Sequence, residues 1–191
     1  MTHVSIIGTG NMGQAIAGLV TRGGHTVQLL GETDTATQVN GDIVILAVPF
    51  PAISDVLTAR GASLAGRIVV DITNPLDFAT FDSLTVPADS SATAEIASAL
   101  PDSRVLKAFN TTFAATLASG TVGPLTTTVL IAGDDTEAKA ALAQVVTDGG
   151  LAAIDAGGLR RARELEAQGF LQITLAAAEK ISWTGGFGVA A

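Results

Sequence analysis

The chain has no cysteine, no tyrosine and a single tryptophan among its 191 residues. Without cysteine it can form no disulfide, no thiolate nucleophile and no zinc–thiolate site. Aromatic residues make up only 4% of the sequence, whereas hydrophobic residues make up 48%. Because Ala, Val, Ile and Leu dominate that hydrophobic fraction, the composition favours an α/β protein with β-branched strands and alanine-rich helices.

Positive charge is also scarce, and 10 Lys and Arg against 18 Asp and Glu give a formal net charge of −8. An acidic surface repels phosphate backbones, so we expect no nucleic-acid partner. The sequence contains no apolar stretch long enough to span a bilayer and no signal-peptide pattern, so we expect no membrane association and a cytoplasmic location. The two histidines, His3 and His25, have no second ligand at metal-binding spacing, so we expect no metal site.

Seven short Val-, Ile- and Leu-rich runs alternate with helical patterns along the chain. The runs show little polar alternation, which is typical of strands buried on both faces of a parallel sheet. The strands are predicted over residues 3–8, 26–30, 43–48, 67–72, 104–109, 127–132 and 152–155. The helices are predicted over residues 11–21, 51–60, 91–100, 135–146 and 159–181. This alternation predicts a Rossmann-type α/β fold, with a doubly wound, mostly parallel sheet and a short C-terminal helical extension.

The domain organisation follows from the same pattern. We expect residues 1–158 to form an NAD(P)-binding Rossmann domain, and residues 159–191 to form a C-terminal helix and tail packed on it as one compact unit. Residues 31–41 leave too little chain for a full crossover helix between the second and third strands, so that helix is expected to be missing at least in part. Residues 77–93 are loop-like and are expected to cover a cleft.

The strand-to-helix turn "IIGTGNMGQAI" fits the pattern G-x-G-x-x-G with Gly8, Gly10 and Gly13. Gly8 allows a tight turn out of the strand, Gly10 lets a pyrophosphate approach the backbone, and Gly13 lets the helix pack closely on the sheet. The free N–H groups at the helix N-terminus then favour an anion. Because a strand precedes the motif and a helix follows it, the turn predicts dinucleotide binding.

The end of the second strand distinguishes NAD from NADP in this fold. A carboxylate there suits the ribose hydroxyls of NAD, whereas an arginine suits the 2′-phosphate of NADP. Here the sequence reads "LLGETD", so Glu32 or Asp34 is placed to meet a ribose, and neither Arg nor Lys lies between Arg22 and Arg60. Local charge therefore favours NAD.

Four further segments carry a resemblance to a known family: "ILAVPFPAI" (45–53), "VVDITNPLDF" (69–78), "VLKAFNTTFAATLASG" (105–120) and "DAGGLRRARELEAQGFL" (155–171). Together with the glycine turn they resemble the NADPH-dependent deazaflavin (factor 420) reductases, and they are similar to the oxidoreductase domain of six-transmembrane metalloreductases. The resemblance covers nearly the whole chain. It implies an NAD(P)-dependent oxidoreductase that passes a hydride directly between the nicotinamide and a flavin or deazaflavin, and it implies a homodimer.

The resemblance and the glycine pattern together assign residues to the dinucleotide. The residues expected at the cofactor are Gly8, Thr9, Gly10, Asn11, Met12, Gly13, Gly31, Glu32, Thr33, Ala47, Val48, Pro49, Asn74, Pro75, Ala108 and Asn110. Where the family often has Ser-Arg for the 2′-phosphate, this chain has Glu32-Thr33. The family pattern favours NADP and the local charge favours NAD, so both stay open, with the whole-chain similarity on the side of NADP.

Hydride transfer between two rings depends on proximity and stacking more than on acid–base groups, so no catalytic acid or base is assigned. Lys107 lies in an apolar strand, and it either reaches the cleft to hold an anionic or carboxamide group or extends from a strand face to solvent. Asn110 either binds the nicotinamide carboxamide or forms a turn. Asp71 is predicted to be structural. The segment 160–166 is predicted to form a solvated helix face, or alternatively to send an arginine to the mouth of the cleft.

Two other functions are compatible with parts of the sequence. The stretch "GTGNMGQAI" also resembles the start of pyrroline-carboxylate reductases, which reduce a small imine, and a short dehydrogenase of a hydroxy acid belongs to the same class. The short C-terminal segment counts against that hypothesis. A non-enzymatic dinucleotide sensor is the third possibility, although no output module is visible in the sequence.

Overall fold

A computed structural model describes residues 1–190. The first part of the chain supplies five parallel strands: β1 (His3–Ile7), β2 (Thr26–Leu30), β3 (Ile43–Leu46), β4 (Ile68–Asp71) and β5 (Arg104–Lys107). A small hairpin of β6 (Thr121–Val122) and β7 (Leu125–Thr126) follows, and then come β8 (Thr128–Gly133) and β9 (Ala152–Gly157). The main sheet has seven strands in the order β2-β1-β3-β4-β5-β8-β9. Since β8 is antiparallel to β5, the sheet is mostly but not wholly parallel.

Helices cover both faces of this sheet. They are α1 (Asn11–Arg22), α2 (Ile53–Leu64), α3 (Ala92–Ala99), α4 (Ala114–Ser119), α5 (Thr136–Asp148) and α6 (Ala162–Ala177), with 3-10 turns at Phe50–Ala52 and Leu159–Arg161. Ser91 and Asp135 cap α3 and α5 by accepting the amide N–H groups of Ala94 and Ala138. These side chains satisfy N–H groups that a helix start otherwise leaves free.

Alternate residues of each central strand pack into two separate cores. In β3, Ile43 and Ile45 join the core formed with α1, α4 and α5, whereas Val44 and Leu46 join the core formed with α2 and α3. All four side chains are buried, which explains why the strand sequence shows no polar alternation. The doubly wound Rossmann-type fold predicted from the sequence is confirmed.

The predicted elements differ from the observed ones mainly at their ends. All seven strands and five helices are present, but β3, β4 and β5 stop one or two residues early because the chain turns there to build the carboxyl edge of the sheet. The last helix begins with a 3-10 turn and ends at Ala177 rather than residue 181. Residues 31–42 contain no helix, as the short link predicted. Helix α4 and the β6–β7 hairpin were not predicted.

None of the helices within residues 1–190 has both the length and the hydropathy needed to cross a bilayer. The division at residue 158 remains a proposal. In the structure, α6 packs against α3. The Glu166 side chain of α6 accepts the amide N–H of Ala92 at the start of α3, and its Gln172 side chain donates to the carbonyl oxygen of Thr111 after β5.

Candidate active site

The carboxyl ends of the five parallel strands bring the predicted site residues to one edge of the sheet. The glycine turn follows β1, Gly31–Thr33 follow β2, Ala47–Pro49 follow β3, and Asn74 and Asn110 lie after β4 and β5. This edge is where open α/β sheets bind their ligands. Ala108 and Pro75, which were also predicted at the cofactor, are buried in the protein and do not line the clefts described below.

Each glycine of the turn has its own steric reason. Gly8 has φ +119°, and a Cβ there would lie 2.1 Å from the carbonyl oxygen of Ala47 on the neighbouring strand. A Cβ on Gly13 would lie 2.1 Å from the carbonyl oxygen of Gly8, so only glycine lets α1 start this close to the turn. A Cβ on Gly10 would meet nothing within 4 Å, because that face of the turn opens to solvent. The backbone is therefore accessible where a pyrophosphate would approach.

Two adjoining clefts run along the edge of the sheet. One, of about 300 Å³, lies between the glycine turn and the segment Ala47–Phe50. The other, of about 480 Å³, continues past Asn74 and Asn110 towards the C-terminal segment. They share six lining residues, which are Asn11, Met12, Ile72, Asn74, Phe78 and Ile173. Through these shared residues the two clefts form one continuous groove along this edge of the sheet.

A pair of amide side chains forms the floor of the larger cleft. Asn110 donates from Nδ2 to Asn74 Oδ1 at 2.9 Å, and Asn74 donates from Nδ2 to the carbonyl oxygen of Asn110 at 3.0 Å. Asn110 also donates to the carbonyl oxygen of Leu165 on α6. Gly169 on α6 packs directly on this pair, since a Cβ there would lie 2.3 Å from Asn74 Oδ1. The C-terminal helix therefore fixes the orientation of both amides.

The backbone just before Asn110 is strained. Phe109 is buried and has φ +63°, a left-handed conformation that a bulky residue rarely adopts. The amide of Asn110 then donates back to the carbonyl oxygen of Ala108 at 2.8 Å. Such strain persists only where the surrounding structure imposes it, and it is concentrated at functional sites. Here it turns Asn110 out of the line of β5 and onto Asn74.

Beneath the amide pair lies a fully buried network of charged side chains. Lys107 Nζ donates to Asp71 Oδ2 at 2.8 Å, to Glu166 Oε1 at 2.9 Å and to the carbonyl oxygen of Thr73 at 2.6 Å. All three charged side chains are no more than 1% exposed. Both sequence interpretations of Lys107 are thus wrong, because the side chain neither reaches the cleft nor extends to solvent. Glu166 likewise departs from the solvated helix face predicted for residues 160–166.

This network holds the loop that carries Asn74. Asp71 accepts the amide N–H of Thr73 at 2.8 Å while Lys107 binds the carbonyl oxygen of the same residue, so both backbone groups of Thr73 are fixed. Glu166 accepts the N–H groups of Ala92 and Thr93 at the start of α3. The structural role predicted for Asp71 therefore agrees with its contacts, and it extends to α3 and α6 through Glu166.

Two buried polar atoms at the groove have no hydrogen-bond partner within the described residues, Asn110 Oδ1 and Thr73 Oγ1. Asn110 lines the larger cleft and Thr73 the smaller one. An unpaired buried acceptor costs about 1–3 kcal/mol, so such groups call for a missing partner. A ligand with a hydrogen-bond donor beside each of these atoms would supply those partners.

The outer wall of the larger cleft is aromatic in a chain with few aromatic residues. Of seven Phe and one Trp in the sequence, Phe78, Phe81, Phe113 and Trp183 line this cleft. Trp183 lies 5.0 Å from Phe113 between ring centroids and is 52% exposed, and Phe78 is 54% exposed. Exposed rings at the rim of a cleft offer stacking surfaces for a planar ligand.

Phe78 and Phe81 belong to the loop that was predicted to cover a cleft. Asp77 begins this turn, and the amide N–H of Ala79 and the hydroxyl of Thr80 donate to its carboxylate. These hydrogen bonds hold the pKa of Asp77 below its usual value. The two rings meet edge to face at 5.8 Å.

Sequence reasoning missed several residues of this site, namely Thr73, Phe78, Phe81, Phe113, Glu166, Gly169, Ile173 and Trp183. The rarity of aromatic residues was an available signal for four of them. His25 contacts the backbone N–H of Thr2 and the carboxylate of Asp148, far from the groove, which fits a structural role. Within residues 1–190, no group of three His, Asp or Glu side chains is placed to hold a metal ion.

The fold and the groove at its carboxyl edge place the chain in the Rossmann-type class of α/β proteins. Residues 30–75 match the family described as coenzyme F420-dependent NADP oxidoreductase. An F420-dependent NADP reductase of Methanocaldococcus jannaschii is 31% identical over 166 residues, which is 85% of this chain and 74% of that protein. The chain therefore belongs to the F420-dependent NADP reductase family and is an NAD(P)H-dependent oxidoreductase.

Solved structures agree with this assignment. A proposed F420-dependent NADP reductase from Arthrobacter sp. FB24 superposes with a TM-score of 0.86 at 25% identity, over the whole of both chains. A hypothetical protein from Sinorhizobium meliloti gives a TM-score of 0.70 at 28% identity, over 83% of this chain and 86% of its own. The family is enzymatic, so the sensor hypothesis is not retained. The likeness to six-transmembrane metalloreductases and the homodimer stay predictions.

Proposed function

We propose that this enzyme transfers a hydride between NADP(H) and a deazaflavin of the F420 type, with both rings held in the larger cleft. The single observation that carries the proposal is the arrangement of that cleft. The unpaired acceptor of Asn110 lies on its floor and an exposed aromatic wall faces the same space. The floor suits a carboxamide, and the wall suits a second planar ring stacked over it.

The residues assigned from the sequence then have distinct parts in binding. Gly10, Asn11 and Met12 present the start of α1 to the pyrophosphate, where the helix dipole favours an anion. Val48 and Pro49 border the adenosine side. Asn110 Oδ1 accepts the carboxamide N–H₂, which fixes the face of the nicotinamide that is turned towards the acceptor ring.

No side chain lining the larger cleft is a carboxylate, imidazole, lysine or arginine. Hydride transfer between two rings needs contact and alignment, and holding the partners together lowers the barrier by several kcal/mol without acid–base help. A small imine or hydroxy acid, by contrast, normally calls for a proton donor beside the reacting carbon. The lining thus favours the ring-to-ring reaction over the imine and hydroxy-acid alternatives.

The proposal is tested by mixing purified protein with NADPH and F420 and following the loss of deazaflavin absorbance, with FMN and FAD as alternative acceptors. We expect turnover with F420. Replacing the cleft ring in Trp183→Ala should raise KM for the acceptor about tenfold and leave nucleotide affinity unchanged. Phe187→Ala is the matched control, because Phe187 is also exposed but does not line the cleft. Nucleotide binding without turnover by any of these acceptors would refute the proposed reaction.

A further inference from the structure

We infer that this chain accepts NADH at least as well as NADPH, because the loop that meets the adenosine ribose presents a carboxylate and no available cation. The inference rests on the proposed function only in taking a reduced nicotinamide dinucleotide as the hydride donor. It departs from the NADP preference that the family name carries.

The loop after β2 lies directly beside the glycine turn. A Cβ on Gly31 would lie 3.7 Å from Cγ2 of Thr9, which places the following residues next to the site of the pyrophosphate. In this fold the first residues beyond the second strand meet the 2′ position of the adenosine ribose. The charge that this loop presents therefore decides whether a 2′-hydroxyl or a 2′-phosphate is preferred there.

The two carboxylates in this loop differ in their contacts and exposure. Asp34 turns back and accepts the amide N–H of Gly31 at 2.7 Å, so its side chain closes the turn. Glu32 is exposed at the tip of that turn. A carboxylate at this position accepts hydrogen bonds from ribose hydroxyls, whereas it repels a phosphate with a charge of about −2.

The two arginines that contact this loop, Arg60 and Arg67, are engaged with backbone carbonyl oxygens. Arg60 is only 8% exposed and donates to the carbonyl oxygens of Asp34 and Thr37. Arg67 donates to the carbonyl oxygens of Gly41 and Val39, and to that of Ser63. Since no Lys or Arg occurs between Arg22 and Arg60, the loop itself supplies none.

What remains for a 2′-phosphate is a set of neutral donors, the hydroxyls of Thr33 and Thr35 and the loop backbone. Neutral donors bind phosphate more weakly than a bidentate arginine does. With Glu32 beside them, we expect kcat/KM for NADH to equal or exceed that for NADPH. At high salt, kcat/KM for NADPH should approach that for NADH, because salt screens the repulsion between Glu32 and the 2′-phosphate.

The test compares 2′,5′-ADP with 5′-AMP, which differ only in the 2′-phosphate, by calorimetry, and then NADPH with NADH in steady-state reduction of F420. The expected result is that 5′-AMP binds as tightly as 2′,5′-ADP or more tightly. Glu32→Gln should shift the ratio towards the 2′-phosphorylated ligand about threefold to tenfold, and Glu32→Ser combined with Thr33→Arg should shift it further. Glu137→Gln, on the exposed start of α5, controls for the loss of one negative charge from the whole protein.

A wild-type protein that binds 2′,5′-ADP more than tenfold tighter than 5′-AMP would overturn the inference, as would a ratio that Glu32→Gln leaves unchanged. The calorimetric comparison does not depend on the acceptor. If neither nucleotide reduces F420 while 2′,5′-ADP and 5′-AMP still bind as expected, the proposed reaction fails and the inference on nucleotide choice stands.

Discussion

The two parts of the sheet edge proposed to hold the adenosine and the nicotinamide are held in place by different means. At the proposed adenosine end, Arg60 and Arg67 donate to backbone carbonyls of loop 31–41, most of whose residues are exposed. At the proposed nicotinamide end, Lys107, Asp71 and Glu166 are buried beneath the loop that carries Asn74. The first end is therefore supported by hydrogen bonds to a surface loop, and the second by fully buried charges.

This difference has an energetic consequence. A carbonyl oxygen in an exposed loop loses little when its donor is removed, because water can take the donor's place. A buried carboxylate that loses its cation is left uncompensated, which costs about 3–5 kcal/mol. The charge at the adenosine end can therefore differ from that of the family, as it does where Glu32-Thr33 replaces Ser-Arg, without destabilising the fold. The nicotinamide end is tied to α3 and α6 and has no such freedom.

The strongest test of this difference is Lys107→Met, which removes the ammonium group at the centre of the buried charge network. We expect a loss of about 3–5 kcal/mol in the free energy of unfolding, because two buried carboxylates lose their common donor. Lys139→Met is the matched control. Lys139 also binds a carboxylate at 2.8 Å, that of Asp155, but this carboxylate is 56% exposed, so the expected loss is below about 1 kcal/mol. Urea unfolding of both variants measures the difference, and equal losses would show that burial is not the cause.

A smaller effect is expected from Gly169→Ala, which leaves the charges intact and disturbs the amide pair above them. The new Cβ would lie 2.3 Å from Asn74 Oδ1 and 2.9 Å from the carbonyl oxygen of Asn110. Overpacking of this kind costs about 1–3 kcal/mol, and we expect nucleotide KM to rise as the amides move. Gly61→Ala, where the nearest atom lies at 3.8 Å, should instead stabilise the protein by about 0.5–1 kcal/mol. Thermal unfolding and nucleotide titration distinguish the two variants. An unchanged KM for Gly169→Ala would show that Gly169 does not contribute to the nucleotide site.

The adenosine end was the more predictable of the two from sequence. The motif of Gly8, Gly10 and Gly13 is local; close contacts require glycine at Gly8 and Gly13, whereas a Cβ on Gly10 would meet nothing. The missing helix in residues 31–41 follows from length alone. What local patterns leave out is how Arg60 and Arg67 support that loop, since each reaches back more than twenty residues along the chain.

The nicotinamide end was only half predictable. The family resemblance implied Asn74 and Asn110, but the ion pair of Lys107 with Glu166 joins residues 59 apart in the chain. Glu166 lies in a run of alternating charges that is typical of a solvated helix face, and tertiary packing overrides that pattern. A signal did exist: Asp71 and Lys107 are direct neighbours on paired strands. Each follows Val69 or Val105 at a spacing of two, which puts both side chains on one buried face.

The smallest effect should come from Arg60→Met at the adenosine end. The carbonyl oxygens of Asp34 and Thr37 lose a charged donor, but Thr37 is exposed and water can replace the guanidinium there, so the expected loss of unfolding free energy is about 1 kcal/mol. The loss in nucleotide binding free energy should exceed the loss in unfolding free energy, because the loop that carries Glu32 loses its support while the sheet does not. Arg104→Met removes an exposed arginine at the start of β5 and should leave both quantities unchanged. Urea unfolding measures the stability of both variants, and titration with ADP measures their nucleotide affinity. If Arg60→Met loses as much unfolding free energy as Lys107→Met, the loop is part of the folding core and the contrast between the two ends does not hold.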